Sequence, residues 1–208
     1  MKKLLTAFCS VLAVFTVTAV QAASVTATVT ADNHYALYVG TGNSVHTLVG
    51  QGTWWYNAET FTFSINPDDR LYLAVWSDNL AAQGVLGQFV IDDGSTTQTI
   101  LTKPGNWKKF LTFNDLNAPT PVPSVAEVSA YVANAVWTPV TDSIPHGSSP
   151  WGYIAGIDTS AHWIWGSALQ PGSGYGEYQI LTPIPEPTTM LLLGSGLIGL
   201  LGLKKKRN

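Results

Sequence analysis

The sequence predicts an all-β fold, a jelly-roll-like β-sandwich, flanked by an N-terminal signal peptide and a short C-terminal transmembrane helix. Apolar and polar residues alternate over short runs, and no long amphipathic helix separates these runs. Turn residues recur about every 8–12 positions, which is typical of sandwiches and jelly rolls. We therefore expect three parts, which are residues 1–22, residues 23–182 and residues 183–208.

The first 22 residues have the features of a secretory signal peptide. Lys2 and Lys3 precede an apolar run from Leu4 to Val20, and small residues end the segment. We expect signal peptidase to cleave between Ala22 and Ala23. Because Cys9 is the single cysteine of the chain and lies in the removed segment, the exported body has no disulfide and no thiol chemistry.

The first half of the body is predicted to form a series of strands separated by turns. The run of residues 71–76 is apolar at every position, so we expect it to be a central strand buried on both faces. The expected turns lie at residues 32–33, 40–44, 66–69 and 92–94. The expected strands are residues 25–30, 34–39, 45–49, 60–65, 71–76, 88–91, 97–101 and 107–113.

The second half begins with a proline-rich extended connection at residues 117–124. Ser124 and Glu127 have the spacing of a capping box, and valines recur near helical spacing, so we expect a helix at residues 125–136. Trp163 and Trp165 are two positions apart in a strand and therefore share a face, which we expect to be core. The remaining expected strands are residues 151–157, 162–165 and 178–181, the last preceded by a turn at 171–174.

The C-terminal segment consists of a proline-rich motif, an apolar stretch and a basic cluster. The motif is Pro185-Glu186-Pro187, and residues 188–203 are free of charge. Sixteen helical residues span roughly 24 Å, which is less than the roughly 30 Å core of a bilayer. We expect a short membrane span with its basic end in the cytoplasm. The basic cluster is Lys204, Lys205, Lys206 and Arg207.

This C-terminal segment resembles the PEP-CTERM sorting signal of Gram-negative bacteria in the order, spacing and position of its parts. The resemblance implies that an exosortase, a membrane cysteine transpeptidase, cuts near Pro185-Glu186-Pro187. It also implies an inner-membrane-anchored precursor whose body is later released or re-anchored at the cell surface. The alternative is an ordinary single-span tail anchor.

Two stretches of the body have distinctive sequences, since residues 31–40 read ADNHYALYVG and residues 161–165 read AHWIW. Both stretches resemble galactose-binding-like jelly-roll modules, which accompany bacterial rhamnosidases and related glycoside hydrolases. The sequence departs from the family at Gly40-Thr41, where the family has Asn-Gly, and the AHWIW strand lies C-terminal instead of opening the module. The resemblance implies a jelly-roll fold and carbohydrate binding.

The charge of the exported body restricts its partners. Residues 23–187 contain 4 basic and 13 acidic residues, a net charge of −9, because the other basic residues lie in the two flanking segments. A body with this charge is not expected to bind nucleic acid or an anionic membrane. It is compatible with neutral sugars or cations, and it contains all eight Trp and all eight Tyr of the chain.

The candidate carbohydrate-binding residues are Trp54, Trp55 and Tyr56. They lie between Gly52 and Asn57, which suggests a loop or a strand end. An exposed aromatic face can stack on a pyranose ring. Adjacent strand residues point to opposite faces, so only one of the two tryptophans can be core. The alternative is that this cluster packs in the interior.

Two pairs of carboxylates lie in expected turns. Asp68 and Asp69 form the first pair, and Asp92 and Asp93 form the second. Carboxylate oxygens are suitable ligands for Ca²⁺, so a structural calcium is a hypothesis for these turns. Neither turn matches an EF-hand loop, and Asp-rich turns are common without metal. No other cofactor is predicted.

The sequence predicts no catalytic residues. It contains no HExxH or GxSxG motif, and its four histidines have no metal-ligand spacing. We therefore expect an exported, non-catalytic surface or matrix protein that binds polysaccharide. Two alternatives remain, which are a structural matrix protein without a specific ligand and an extracellular glycoside hydrolase with a spatially paired set of carboxylates.

Overall fold

The computed structural model describes residues 22–77, 82–115, 121–165 and 177–184. Over these ranges the chain folds into two antiparallel sheets and one short helix, which confirms the predicted all-β sandwich. The predicted signal peptide before Ala22, the turn at residues 171–174 and the predicted membrane span lie outside the described residues. The elements are β1 (Ala23–Asp32), β2 (His34–Gly40), β3 (Val45–Gly52), β4 (Glu59–Ile65), β5 (Arg70–Trp76), β6 (Gly84–Asp92), β7 (Thr97–Leu101), β8 (Trp107–Asp115), α1 (Val125–Asn134), β9 (Thr138–Pro139), β10 (Ser143–Pro145), β11 (His162–Ile164) and β12 (Glu177–Pro183).

The twelve strands of the described residues are divided equally between two sheets. Sheet A has the order β10-β11-β6-β1-β4, with β7 also paired to β6. Sheet B has the order β3-β2-β5-β12-β8-β9. The apolar side chains on the facing sides of the sheets form the main core, because alternate residues of each strand point to the same face. From β1 these are Val25, Ala27, Val29 and Ala31, and from sheet B they include Leu37, Leu73 and Val75.

Strand β5 is buried on both faces, as its continuous apolar sequence predicts. One face, with Leu73 and Val75, lies in the core between the sheets. The opposite face, with Tyr72, Ala74 and Trp76, packs in a second cluster that includes helix α1. The helix therefore covers the outer face of sheet B and makes a third layer there.

Helix α1 begins where the capping pattern predicts. The Ser124 Oγ accepts a hydrogen bond from the Glu127 backbone N at 3.2 Å, which satisfies one of the free N–H groups of the first turn. Val128 and Val132 are buried against sheet B. The helix ends at Asn134, two residues earlier than expected, and Val136 is 79 % exposed.

The expected strand at residues 151–157 is wrong. This segment consists of turns, and Gly152 and Gly156 have φ angles of +66° and +86°, which extended backbone does not allow. Its buried residues are Trp151, Ile154 and Ile157, which are three positions apart and so do not follow the period of a strand.

The strand at residues 88–91 is longer than expected, because β6 begins at Gly84. A Cβ at Gly84 would lie 3.0 Å from the Trp163 ring and 3.2 Å from the Trp151 ring. The glycine therefore allows these tryptophans to pack closely on the strand. The expectation that Trp163 and Trp165 are core residues is confirmed, since both are fully buried.

Both ends of the body lie at the same end of the sandwich, which we call the terminal end. β1 begins at Ala23, which pairs with Ile65, and the turn after Ile65 enters β5 at Arg70. β12 runs antiparallel beside β5, and continuing their register places Ile184 level with Arg70. The Ile184 N donates to the Asn106 carbonyl at 2.8 Å, so the sheet extends into the first residues of the expected C-terminal segment.

Candidate functional site

The predicted aromatic residues lie in a connection that we call the aromatic loop, residues 53–58. It joins β3 of sheet B to β4 of sheet A at the far end of the sandwich, opposite the terminal end. The buried Thr30 Oγ1 lies 3.0 Å from the Trp54 carbonyl oxygen and 2.8 Å from that of Trp55, and donates toward both. This contact fixes the loop backbone to the outer face of β1.

Two aromatic rings of the loop are exposed to solvent, and a third packs against the main core. Trp54 is 61 % exposed and Tyr56 is 52 % exposed, with their ring centroids 5.7 Å apart and their planes at 47°. Trp55 is partly buried against the main core and meets Tyr56 edge-on at 5.7 Å. As expected of adjacent residues, one tryptophan faces the core and the other faces solvent.

The glycines near the aromatic loop belong to β3 instead of the loop itself. A Cβ at Gly50 would lie 2.2 Å from the Phe61 ring, and a Cβ at Gly52 would lie 2.4 Å from both the Glu59 Oε2 and the Tyr35 ring. The absence of side chains on these glycines therefore lets β4 approach β3 closely at this edge of the sandwich.

Glu59 is a polar residue beside the aromatic loop that sequence reasoning missed. The buried Tyr35 OH donates to the Glu59 Oε2 at 2.7 Å. Burial, together with the hydrogen bond and charge of Glu59, raises the pKa of the Tyr35 phenol far above its usual value, so the phenol remains a donor. The orientation of the half-buried carboxylate is thereby fixed. Its position three residues after Tyr56 was the available signal.

The first carboxylate pair lies in a turn at the terminal end. The Asp69 carboxylate accepts from the Asn66 N at 2.7 Å and the Asn66 Nδ2 at 3.0 Å, and its other oxygen lies 2.9 Å from the His46 Nε2. Burial acts to raise the pKa of Asp69, but the bonds from His46 and Asn66 outweigh it and hold this pKa below its usual value. Asp68 is exposed.

The second pair lies in the β6–β7 turn, and its carboxylates also bond within their own turn. Asp92 accepts from the Gly94 N at 2.8 Å. Asp93 accepts from the Ser95 side chain and backbone and from the Thr96 backbone and side chain, which hold the pKa of Asp93 well below its usual range. Among the described residues no three His, Cys, Asp or Glu side chains form a group that could hold a metal. The structural calcium stays a prediction.

The family profile described as the PEP-CTERM protein-sorting motif matches residues 183–207. This motif indicates an exported protein that is sorted by an exosortase. This match includes Pro185-Glu186-Pro187 and the basic cluster, so the sorting resemblance is confirmed, and the motif implies a membrane-anchored precursor. No helix within the described ranges is long and apolar enough to cross a membrane, and residues 188–203 lie outside those ranges.

No curated protein and no solved structure is significantly similar to the chain. The galactose-binding-like jelly-roll topology therefore stays a prediction, beside the confirmed β-sandwich. Cleavage between Ala22 and Ala23 by signal peptidase also stays a prediction. Ala22 is exposed and directly precedes β1, so this cleavage would leave the sandwich intact.

Proposed function

We propose that the exported body is a non-catalytic carbohydrate-binding module of the cell surface or extracellular matrix, and that the aromatic loop is its contact. The observation that carries this proposal is the exposure of Trp54 and Tyr56 on a loop fixed by Thr30 and Trp55. Clustered exposed apolar surface in a soluble domain commonly marks a site of interaction. Two large rings held at an angle offer stacking surfaces without the entropy cost of ordering a mobile loop.

The chemistry of the aromatic loop suits a neutral sugar. The apolar face of a pyranose can lie on the Trp54 indole, and Tyr56 can contact the ring edge. Glu59 is oriented by Tyr35 through one oxygen, and its carboxylate can accept hydrogen bonds from sugar hydroxyls. The net charge of −9 for residues 23–187 disfavours acidic polysaccharides.

Binding at one such loop is expected to be weak. Aromatic stacking contributes about 0.5–1.5 kcal/mol beyond area burial, so a Kd between roughly millimolar and high micromolar is expected. Stable attachment to a polysaccharide would then result from many copies engaging the same polymer.

The position of the loop supports display toward the matrix. The sorting motif follows β12 at the terminal end, while the aromatic loop lies at the far end. A body held to the membrane by its C-terminal segment would therefore direct Trp54 and Tyr56 away from the membrane.

The test is titration of neutral oligosaccharides into the full-length protein, in a detergent without a sugar headgroup and with or without Ca²⁺. We expect Trp54→Ala and Tyr56→Ala to weaken binding about three- to tenfold without loss of folding. Val136→Ala, which removes an exposed side chain elsewhere, is the matched control and should bind as the wild type does.

Three results would contradict the proposal in different ways. Unchanged binding by both aromatic variants would move the site away from the aromatic loop. A wild-type protein that retains no glycan on a broad array would favour the structural matrix protein. Release of product from glycosides would identify a hydrolase instead.

A further inference from the structure

Among the described residues, three aromatic side chains have more than half of their surface exposed. Two of them, Trp54 and Tyr56, lie on the aromatic loop. The third is Tyr153, which is 74 % exposed. It belongs to the connection between β10 and β11, residues 146–161, which we call the second loop. Sequence reasoning assigned this part of the chain to a strand and gave Tyr153 no role.

Contacts with β11 and β1 hold the second loop in place. The Trp151 ring stacks on Trp163 at 4.3 Å, and its Nε1 donates to the Asp32 Oδ2 at 2.7 Å. Within the loop, the His146 Nε2 accepts from the Ile154 N at 2.8 Å. A residue next to Tyr153 is therefore tied to the loop interior, while Tyr153 itself points outward.

The Tyr153 ring packs against the backbone of Gly147, which has no side chain. A Cβ at Gly147 would lie 2.6 Å from the Tyr153 Cζ, and Gly147 has a φ angle of +86°. The His146 ring meets the Tyr153 ring at a centroid distance of 5.4 Å. These contacts support one side of the phenol ring and leave most of its surface open to solvent.

Both loops lie on the same face of β1. The aromatic loop is fixed to Thr30 through the carbonyls of Trp54 and Trp55. In the second loop, a Cβ at Gly156 would lie 3.6 Å from the Thr28 Cγ2. Thr28 and Thr30 share a strand face, and their Cα atoms are about 7 Å apart at the usual rise per residue. The two loops are therefore neighbours over this face.

The strand residues next to the two loops include uncharged hydroxyl and amide groups. Thr28 pairs with Gln88 on one side and with Thr60 on the other. The Thr28 and Thr60 hydroxyl oxygens are 3.2 Å apart, and the Gln88 Oε1 accepts from the Asp158 N at 3.0 Å. Thr28 is buried and Gln88 is partly buried, whereas Thr60 is exposed. The exposed residue beside the loops therefore carries a hydroxyl group, which suits uncharged hydroxyl-bearing chains better than ionic ones.

We propose that Tyr153 is a second sugar-stacking position, and that the two loops bind different rings of one neutral glycan chain that lies across their neighbouring exposed surfaces. This inference rests on the proposed function of the aromatic loop. It identifies the ligand class as a chain of linked neutral sugars, since a single terminal sugar would reach only one of the loops.

The test compares sugars of increasing length with three variants of the full-length protein in the same detergent. Single sugars, disaccharides and hexasaccharides of neutral glucans, mannans and xylans are titrated. Wild type should bind hexasaccharides at least tenfold more tightly than single sugars. Tyr153→Ala should lose most of this gain while keeping single-sugar binding, and Trp54→Ala should weaken both. Tyr153→Leu separates loss of the aromatic face from loss of bulk, and should behave as Tyr153→Ala does.

Each result decides between the two proposals. The extended site is overturned if wild-type affinity does not rise with chain length, or if a folded Tyr153→Ala binds hexasaccharides as wild type does. Neither result contradicts the proposed function of the aromatic loop. Unchanged binding by Trp54→Ala overturns the proposed function of the aromatic loop. A Tyr153→Leu variant that binds hexasaccharides as wild type does shows that stacking is not involved and also overturns the inference.

Discussion

A buried hydroxyl positions the exposed rings of this protein. Thr30 is fully buried, and its Oγ1 lies within 3.0 Å of two carbonyl oxygens of the aromatic loop. A typical intramolecular hydrogen bond contributes about 0.5–1.5 kcal/mol, so this contact stabilises the loop conformation. The exposed side chains of the candidate site thus depend on an interior residue that no ligand would touch.

Asp69 is predicted to make stability depend on pH. Its folded-state pKa is lowered, because bonds from His46 and Asn66 outweigh burial, so its contribution is present above the unfolded pKa of about 3.9 and is lost as pH falls through the folded value. We expect Asp69→Asn to lower the free energy of unfolding by about 1 kcal/mol at pH 7, with a smaller difference below pH 4. Urea denaturation across this range measures the effect.

The neighbouring residue provides a matched control for Asp69. Asp68 is exposed in the same turn, so Asp68→Asn should leave the free energy of unfolding within about 0.5 kcal/mol of wild type at each pH. A difference between wild type and Asp69→Asn that stays constant from pH 7 to pH 3 would contradict the assigned role of the carboxylate charge.

Part of the candidate site could be predicted from the sequence. The local cluster of Trp54, Trp55 and Tyr56 between turn-forming residues identified the aromatic loop, and the rule for adjacent side chains predicted the division between core and solvent. Glu59 and Tyr153 were not found. Their relation to the loop depends on the pairing of β1 with β4 and β6, and a single sequence does not reveal which strands pair.

The start of helix α1 is predicted to depend on its capping serine. Ser124→Ala removes the acceptor of the Glu127 N and should destabilise the body by about 1 kcal/mol. Thermal and urea unfolding followed by far-UV circular dichroism measure this effect. Ser124→Asp should restore stability, because aspartate also caps helices. Equal stability of all three proteins would show that the cap contributes nothing.

A strand could be predicted from the sequence where its residues follow a single clear hydrophobic pattern. Alternation identified β1 and β4, and a continuous apolar run identified β5 as a strand with both faces covered. Residues 151–157 failed because their conformation depends on Gly152 and Gly156 in left-handed backbone, while their apolar residues imitate a buried strand. The short β9 and β10 have two and three residues, too few to show any period.

At the scale of the whole molecule, the sorting motif is predicted to control delivery. Glu186→Ala should leave unprocessed protein in the inner membrane, because the exosortase is expected to read Pro185-Glu186-Pro187. Intact mass spectrometry of the wild-type surface form should show a chain lacking Lys204 to Asn208. The matched control is Glu177→Ala, which changes an acidic residue at the start of β12 instead. Normal trimming of Glu186→Ala would show that the motif is not read.

Because both ends of the body lie at the terminal end, the direction of a mechanical load on the body can be inferred. A polymer held at the far end and a membrane segment attached at the terminal end would pull along the strands. β12, which leads into the sorting motif, lies between β5 and β8. Its hydrogen bonds run perpendicular to the pull, so tension would shear them together and would not open them one by one. Under flow, weak sugar contacts would therefore release and rebind before the sheet yields.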